Sequence, residues 1–121
     1  MTWRDGVVRM FNVKDGTSFN EDTDVTCPVC GGQMVHITRV RVGQGNYWTE
    51  INRNETKASD VNIPGKIRND GSVVEIEFMG ECGHRWWLYF RFHEGVVISW
   101  IEMDDKEYSI DYIFQKELWR S

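Results

Sequence analysis

The chain has 121 residues, with 14 Lys and Arg against 19 Asp and Glu and a net charge of −5. That balance excludes indiscriminate attachment to phosphate backbones, which needs a positive surface, while leaving room for a local basic patch. The length is that of one domain able to bury roughly two-thirds of its unfolded surface. Six Trp, six Phe and four Tyr furnish its core.

The opening MTWRDGVVRMF has neither the charged start nor the apolar run of a signal peptide. No stretch approaches the ~18–20 apolar residues of a bilayer span. A soluble, cytoplasmic protein without a membrane partner is expected. Three cysteines, an odd number, in a reducing compartment argue against a disulfide framework.

In chain order, Trp3, Val7, Val8, Met10 and Phe11 can pack as a short strand or an irregular arm, and DGTSFNEDTD (15–24) reads as an acidic solvated loop. MVHITRVRV (34–42), rich in β-branched residues, predicts a strand. Its parity is imperfect: Val35 and Ile37 share a face with Arg39 and Arg41, while Val40 and Val42 share the other with His36. A bulge or a change of burial would reconcile this. Residues 43–72, with four glycines and many Asn, Asp, Ser and Thr, read as a polar loop excursion from a hairpin, with room for a short strand at 46–51.

SVVEIEFMG alternates Val74, Ile76 and Phe78 with Glu75 and Glu77, the pattern of a half-buried strand. HRWWLYFRFHEG places Trp86, Leu88, Phe90 and Phe92 on one face and Trp87, Tyr89, Arg91 and His93 on the other, with a turn at 93–95. VVISWIEM follows, with Val96, Ile98 and Trp100 on one side. Three such strands with short links make an antiparallel meander. In the tail, Ile110, Ile113, Phe114 and Leu118 recur at helical spacing behind a capping Ser109, which predicts a C-terminal helix over 107–120. A final strand is the alternative there. Residues 1–121 are thus predicted as one mainly β domain of roughly four to six antiparallel strands with a C-terminal helix, an α+β arrangement being the alternative.

Cys27-Pro-Val-Cys30-Gly-Gly has the form of a metal knuckle. Two thiolates so spaced both reach one tetrahedral ion at ~2.3 Å, and the glycines let the chain turn back so that amides point at sulfur. Cys82-Gly83-His84 offers a second pair. Cys30 and Cys82 are separated by 51 residues; without the 30-residue excursion the separation is 21, close to the ~15–20 between the halves of a ribbon-type zinc site. Thioredoxin-like redox chemistry also uses C-P-x-C, but there the motif opens a helix, whereas Gly-Gly and a β-branched strand follow here. Cysteines left without metal in turns are a third reading.

CPVCGGQM resembles the first knuckle of the zinc-ribbon family, and CGHRWW resembles the end of its second, C-x-x-C-G-H-x-[WF]. The first Cys of that second knuckle would fall at Met79, and a thioether is a poor zinc ligand. The ligand set expected is therefore Cys27, Cys30, Cys82 and His84 around Zn2+, with His36 and His93 in reserve. GHRWWLYFRFHEGVVISW is also similar to small zinc-ribbon proteins of bacteria and their phages. Together the two stretches cover about a quarter of the chain. The resemblance implies a fold and a bacterial or phage origin, and it brings no activity with it.

Trp87, Tyr89 and Arg91 face away from the expected core, so they are either covered by the C-terminal helix or form a contact surface. Arg39, Arg41, Arg85 and Arg91 can line a face for nucleic acid, or pair with neighbouring carboxylates. No Ser-His-Asp order, phosphate-cradling glycine loop or HExxH pattern is present, and no catalytic residue is assigned. The expected function is a non-enzymatic zinc-ribbon interaction module that binds a protein partner or forms a homodimer. A nucleic-acid-binding ribbon is the alternative, and a metal-centred enzyme a distant third.

Overall fold

The computed structural model describes residues 2–3, 11–12, 24–44, 47–61 and 72–118. In chain order the strands are β1 (Thr2–Trp3), β2 (Phe11–Asn12), β3 (Asp24–Val25), β4 (Val35–Gln44), β5 (Tyr47–Asn52), β6 (Thr56–Ser59), β7 (Ser72–Gly80), β8 (Arg85–His93) and β9 (Val96–Met103). A short helix, α1 (Ile110–Lys116), follows. Seven strands form one antiparallel sheet in the order β1-β9-β8-β7-β4-β5-β6, and β2 pairs with β3 apart from it. The mainly β, antiparallel architecture with a C-terminal helix is the one expected from the alternation in the sequence. At the β8–β9 turn, Glu94 and Gly95 both take positive φ, 48° and 79°, the combination that keeps a two-residue hairpin in step with strand twist.

The parity conflict in β4 is resolved by a bulge. Ile37 pairs with Phe78, but Arg39 pairs with Glu77, so Thr38 is the extra residue and the facing of the strand inverts there. One sheet face then carries Ile37, Ile76, Phe78, Trp86, Leu88 and Ile101, packed together with Cys27, and Phe78 stacks on Trp86 with centroids 5.8 Å apart. The other face carries Arg39 and Arg41 among three buried carboxylates, Glu50, Glu75 and Glu77. Beside them lies a second apolar cluster of Trp48, Val73, Tyr89 and Trp100.

Those glutamates correct the expectation that Glu75 and Glu77 face solvent. Arg41 bonds Glu50 and Glu75, each at 2.6 Å, and Arg39 bonds Glu77 at 2.6 Å. Burial raises Glu75 above the usual carboxylate range despite Arg41. For Glu50 burial acts in the same direction, but Arg41 and Asn52 outweigh it and hold the group low. Carboxylates survive desolvation where guanidinium forks meet them in bidentate or shared geometry.

Within the 43–72 excursion, the described residues form β5 and β6 rather than an open loop. The Asn52 side chain accepts from the amides of Asn54 and Glu55 to make the turn between them. Residues 45–46 and 62–71 of that excursion, 15–23 of the acidic loop and 119–120 of the expected helix lie outside the described residues.

Ser109 caps α1 by accepting from the Tyr112 amide, and Glu117 leaves helical geometry at the other end. The Arg53 guanidinium donates to the carbonyls of Phe114 and Glu117, so the excursion closes the helix C-terminus. Ile113 is fully buried whereas Ile110 is exposed. The helix packs against the start of β4: the Leu118 amide donates to the Ile37 carbonyl, and the His36 ring meets Phe114 edge-on. No helix of the described residues is long and apolar enough to cross a membrane.

Candidate metal centre

Two different local devices present the thiols. In the first knuckle the Cys27 amide donates to the Gly32 carbonyl and the Gly31 amide to the Cys27 carbonyl, each at 2.9 Å. Gly31 takes φ 74°, a left-handed conformation that side chains resist. The second knuckle is the β7–β8 turn, where the Gly80 amide donates to the His84 carbonyl and the Gly83 amide to the Gly80 carbonyl. Gly83 sits at φ 95°, and a Cβ there would come within 3.1 Å of the Tyr108 carbonyl oxygen. The Glu81 amide donates to the Met34 carbonyl at 2.9 Å, joining the knuckles, and the β4–β7 ladder places Val35 opposite Gly80 beside them.

This arrangement brings Cys27, Cys30, Cys82 and His84 together, with their ligand atoms all within 4.8 Å of one another. His84 presents Nδ1, which lies 3.4 Å from Cys27 Sγ and 3.2 Å from Cys82 Sγ. A tetrahedral ion bonded at ~2.3 Å to sulfur and ~2.0–2.1 Å to nitrogen would set those separations near ~3.5 Å. The donors fit a closed four-coordinate site and can hold a metal ion. Such a site would leave no position for an activated water.

Burial pushes the Cys27 thiol up to about 12 and also raises Cys82. The Gly32 amide holds Cys30 below the ordinary thiol value. Metal binding would replace those protons, since the thiolate is the ligand.

Met79, the position where the zinc-ribbon resemblance wants a cysteine, faces away from the thiols. It is buried in β7 between His36 and Arg85, on the sheet face beneath α1. The residue that faces the sulfur is Gly80, whose Cβ would lie 2.8 Å from Cys82 Sγ. That need for an absent side chain was not read from the sequence, although a glycine two residues before Cys82 was there to signal it. The reserve histidines are elsewhere. His36 is held between Glu81 at 3.0 Å and Glu117 at 2.7 Å, and His93 is exposed beside Glu94 at the β8–β9 turn.

The remaining candidate residues are largely committed within the fold. Arg39 and Arg41 serve the buried glutamates, and Arg85 bonds Asp104 at 2.5 Å while lying over the Trp87 ring. Trp87 Nε1 donates to Glu77 at 3.0 Å. Tyr89 is buried and stacks on Trp100 at 5.1 Å, with burial pushing its hydroxyl well above the ordinary value. Arg91 is half-buried and approaches the Trp100 ring at 6.0 Å. Thus Tyr89 is covered by its own sheet cluster, while α1 packs on β4. Comparison of the chain with protein-family models, curated proteins and solved structures gives no match.

Proposed function

We propose that Cys27, Cys30, Cys82 and His84 hold one Zn2+ as a structural cross-link, and that the chain is a non-enzymatic zinc-ribbon module that binds a protein partner or a second copy of itself. The observation that carries this reading is the convergence of four donors from two knuckles within 4.8 Å. Three thiolates and an imidazole suit zinc among the common divalent ions, and a site filled by four protein ligands would leave the metal no catalytic opening. The unpaired thiols suit a reducing, cytoplasmic setting. Support for an interaction role comes from exposed Val42, Tyr47, Ile51, Phe92 and Val97, which share the apolar sheet face at the end away from the knuckles. The nucleic-acid reading is weaker, because a phosphate would have to displace buried carboxylates from Arg39 and Arg41.

Metal analysis of the purified protein beside Cys82→Ser and His84→Ala tests the site. About one zinc per chain, lost in both variants, is expected. A metal-free wild-type protein refutes the reading, and full retention in His84→Ala removes that histidine from the ligand set.

A further inference from the structure

The three thiols differ in what they face. Cys27 is 1 % exposed and packs with Phe78, Trp86, Leu88 and Ile101. Cys30 and Cys82 are exposed, and they belong to opposite knuckles. Their sulfurs lie within 4.8 Å of each other. A Cβ on Gly32 would stand 3.5 Å from Cys30 Sγ and 4.0 Å from Cys82 Cβ, so the two knuckles meet at this pair. Solvent-accessible thiolates with a second sulfur in reach are the ones oxidised reversibly, while a thiol sealed in a core is inert.

We propose that Cys30 and Cys82 form a peroxide-responsive pair, in which oxidation exchanges the metal cross-link for a Cys30–Cys82 disulfide and leaves Cys27 reduced. The chemistry rests on the metal assignment proposed above. Hydrogen peroxide is the oxidant. One exposed thiolate attacks a peroxide oxygen, the O–O bond breaks, a sulfenic acid forms and, with a proton taken up, water leaves. The other thiolate attacks that sulfur, the S–O bond breaks, the S–S bond forms, and a further proton carries the oxygen away as a second water. Two electrons pass from the two sulfurs to one peroxide. With two of its four donors consumed, the ion is released.

Which pair closes decides what happens to the fold. A Cys27–Cys30 bridge would join residues of one knuckle and leave the β7–β8 turn with backbone hydrogen bonds but no covalent tie to it. A Cys30–Cys82 bridge keeps the two knuckles joined across the intervening 51 residues. The oxidised, metal-free protein therefore stays folded, and reduction restores the site.

The test treats zinc-loaded full-length protein with stepwise hydrogen peroxide, follows released zinc with a chelating dye, and maps disulfides on non-reduced tryptic peptides by fragmentation. Cys27 and Cys30 share the peptide 15–39 and Cys82 lies in 69–85, so a cross-peptide link with its sulfur placed at Cys30 is diagnostic. Expected results are one zinc released per disulfide, rebinding after dithiothreitol, and a Tm within a few degrees of the loaded form and well above that of reduced protein stripped by chelator. A Cys27–Cys30 or Cys27–Cys82 bridge, intermolecular dimers, or zinc retained under excess peroxide would overturn the proposal while leaving the metal site intact. Protein that never binds zinc overturns both.

Discussion

Gly80 is the residue on which the site's shape turns, because the space its side chain would occupy belongs to the Cys82 sulfur. Gly80→Ala therefore forces the second knuckle to shift. Metal affinity should fall at least about tenfold, the scale of losses when the support around a ligand moves. A competition titration against a chelator measures it, and unchanged affinity would show that the turn absorbs the methyl group freely. Met79 makes the opposite point. Its mismatch with the zinc-ribbon pattern was legible in the sequence, but the reason was not, because side-chain direction in β7 depends on pairing with β4 and β8. Met79→Cys should add no ligand and leave metal content at the wild-type value. A gain in affinity would show that this side chain reaches the site.

The strands β7, β8 and β9 could be read from local pattern, since β7 alternates Val74, Ile76 and Phe78 with glutamates and β8 and β9 are runs of aromatic and β-branched residues joined by short turns. Their charged positions were misread, for alternation alone marks a glutamate as solvent-facing. Only the cross-strand partners Arg39 and Arg41 show that Glu75 and Glu77 are buried, and their placement depends on the bulge at Thr38. Arg41→Ala takes the bonded cation from buried Glu75 and leaves Glu50 only the longer cation contacts with Arg39 and Lys57. It should cost about 3 kcal/mol, as when one partner of a buried pair is removed. Denaturant melts will show this as a lowered midpoint, and a change within error would mean the network is solvated. At the helix, Arg53→Ala removes donors from the last turn of α1 and should cost about 1 kcal/mol. Amide exchange in 110–118 should rise more than in β7.

For the molecule as a whole, the contact between the sheet and the chain leading into α1 has a pH signature. Burial alone would raise Asp104, but the Tyr108 hydroxyl, the Lys106 amide and the Arg85 guanidinium together hold it at about 2 against a usual 3.8. A carboxyl depressed by folding adds stability that is present above its unfolded value and fades as pH falls from 3.8 toward 2. Asp104→Asn should cost about 1 kcal/mol at neutral pH, and the difference from wild type should shrink across that acid window. A gap that stays constant down to pH 2 would assign the loss to packing. Oligonucleotide should not be retained even at low salt, consistent with arginines already committed to carboxylates; steeply salt-sensitive retention would revive the nucleic-acid reading.

The extra residue in β4 also ranks the kinds of genetic change this chain tolerates. Thr38 is buried, and its hydroxyl donates to Glu77 at 2.7 Å. A substitution there loses a hydrogen bond. Excision of the codon also loses that bond but keeps the phase, since Ile37 then precedes Arg39 directly and both arginines still face the glutamates. A residue inserted between Arg39 and Val40 does something different in kind, turning Arg41 toward the greasy layer and Val40 and Val42 toward the glutamates. An insertion of one residue at the β8–β9 tip merely lengthens a surface turn. The same one-residue event is thus catastrophic at one address and nearly silent at another, and expression of the two length variants would separate them at a glance.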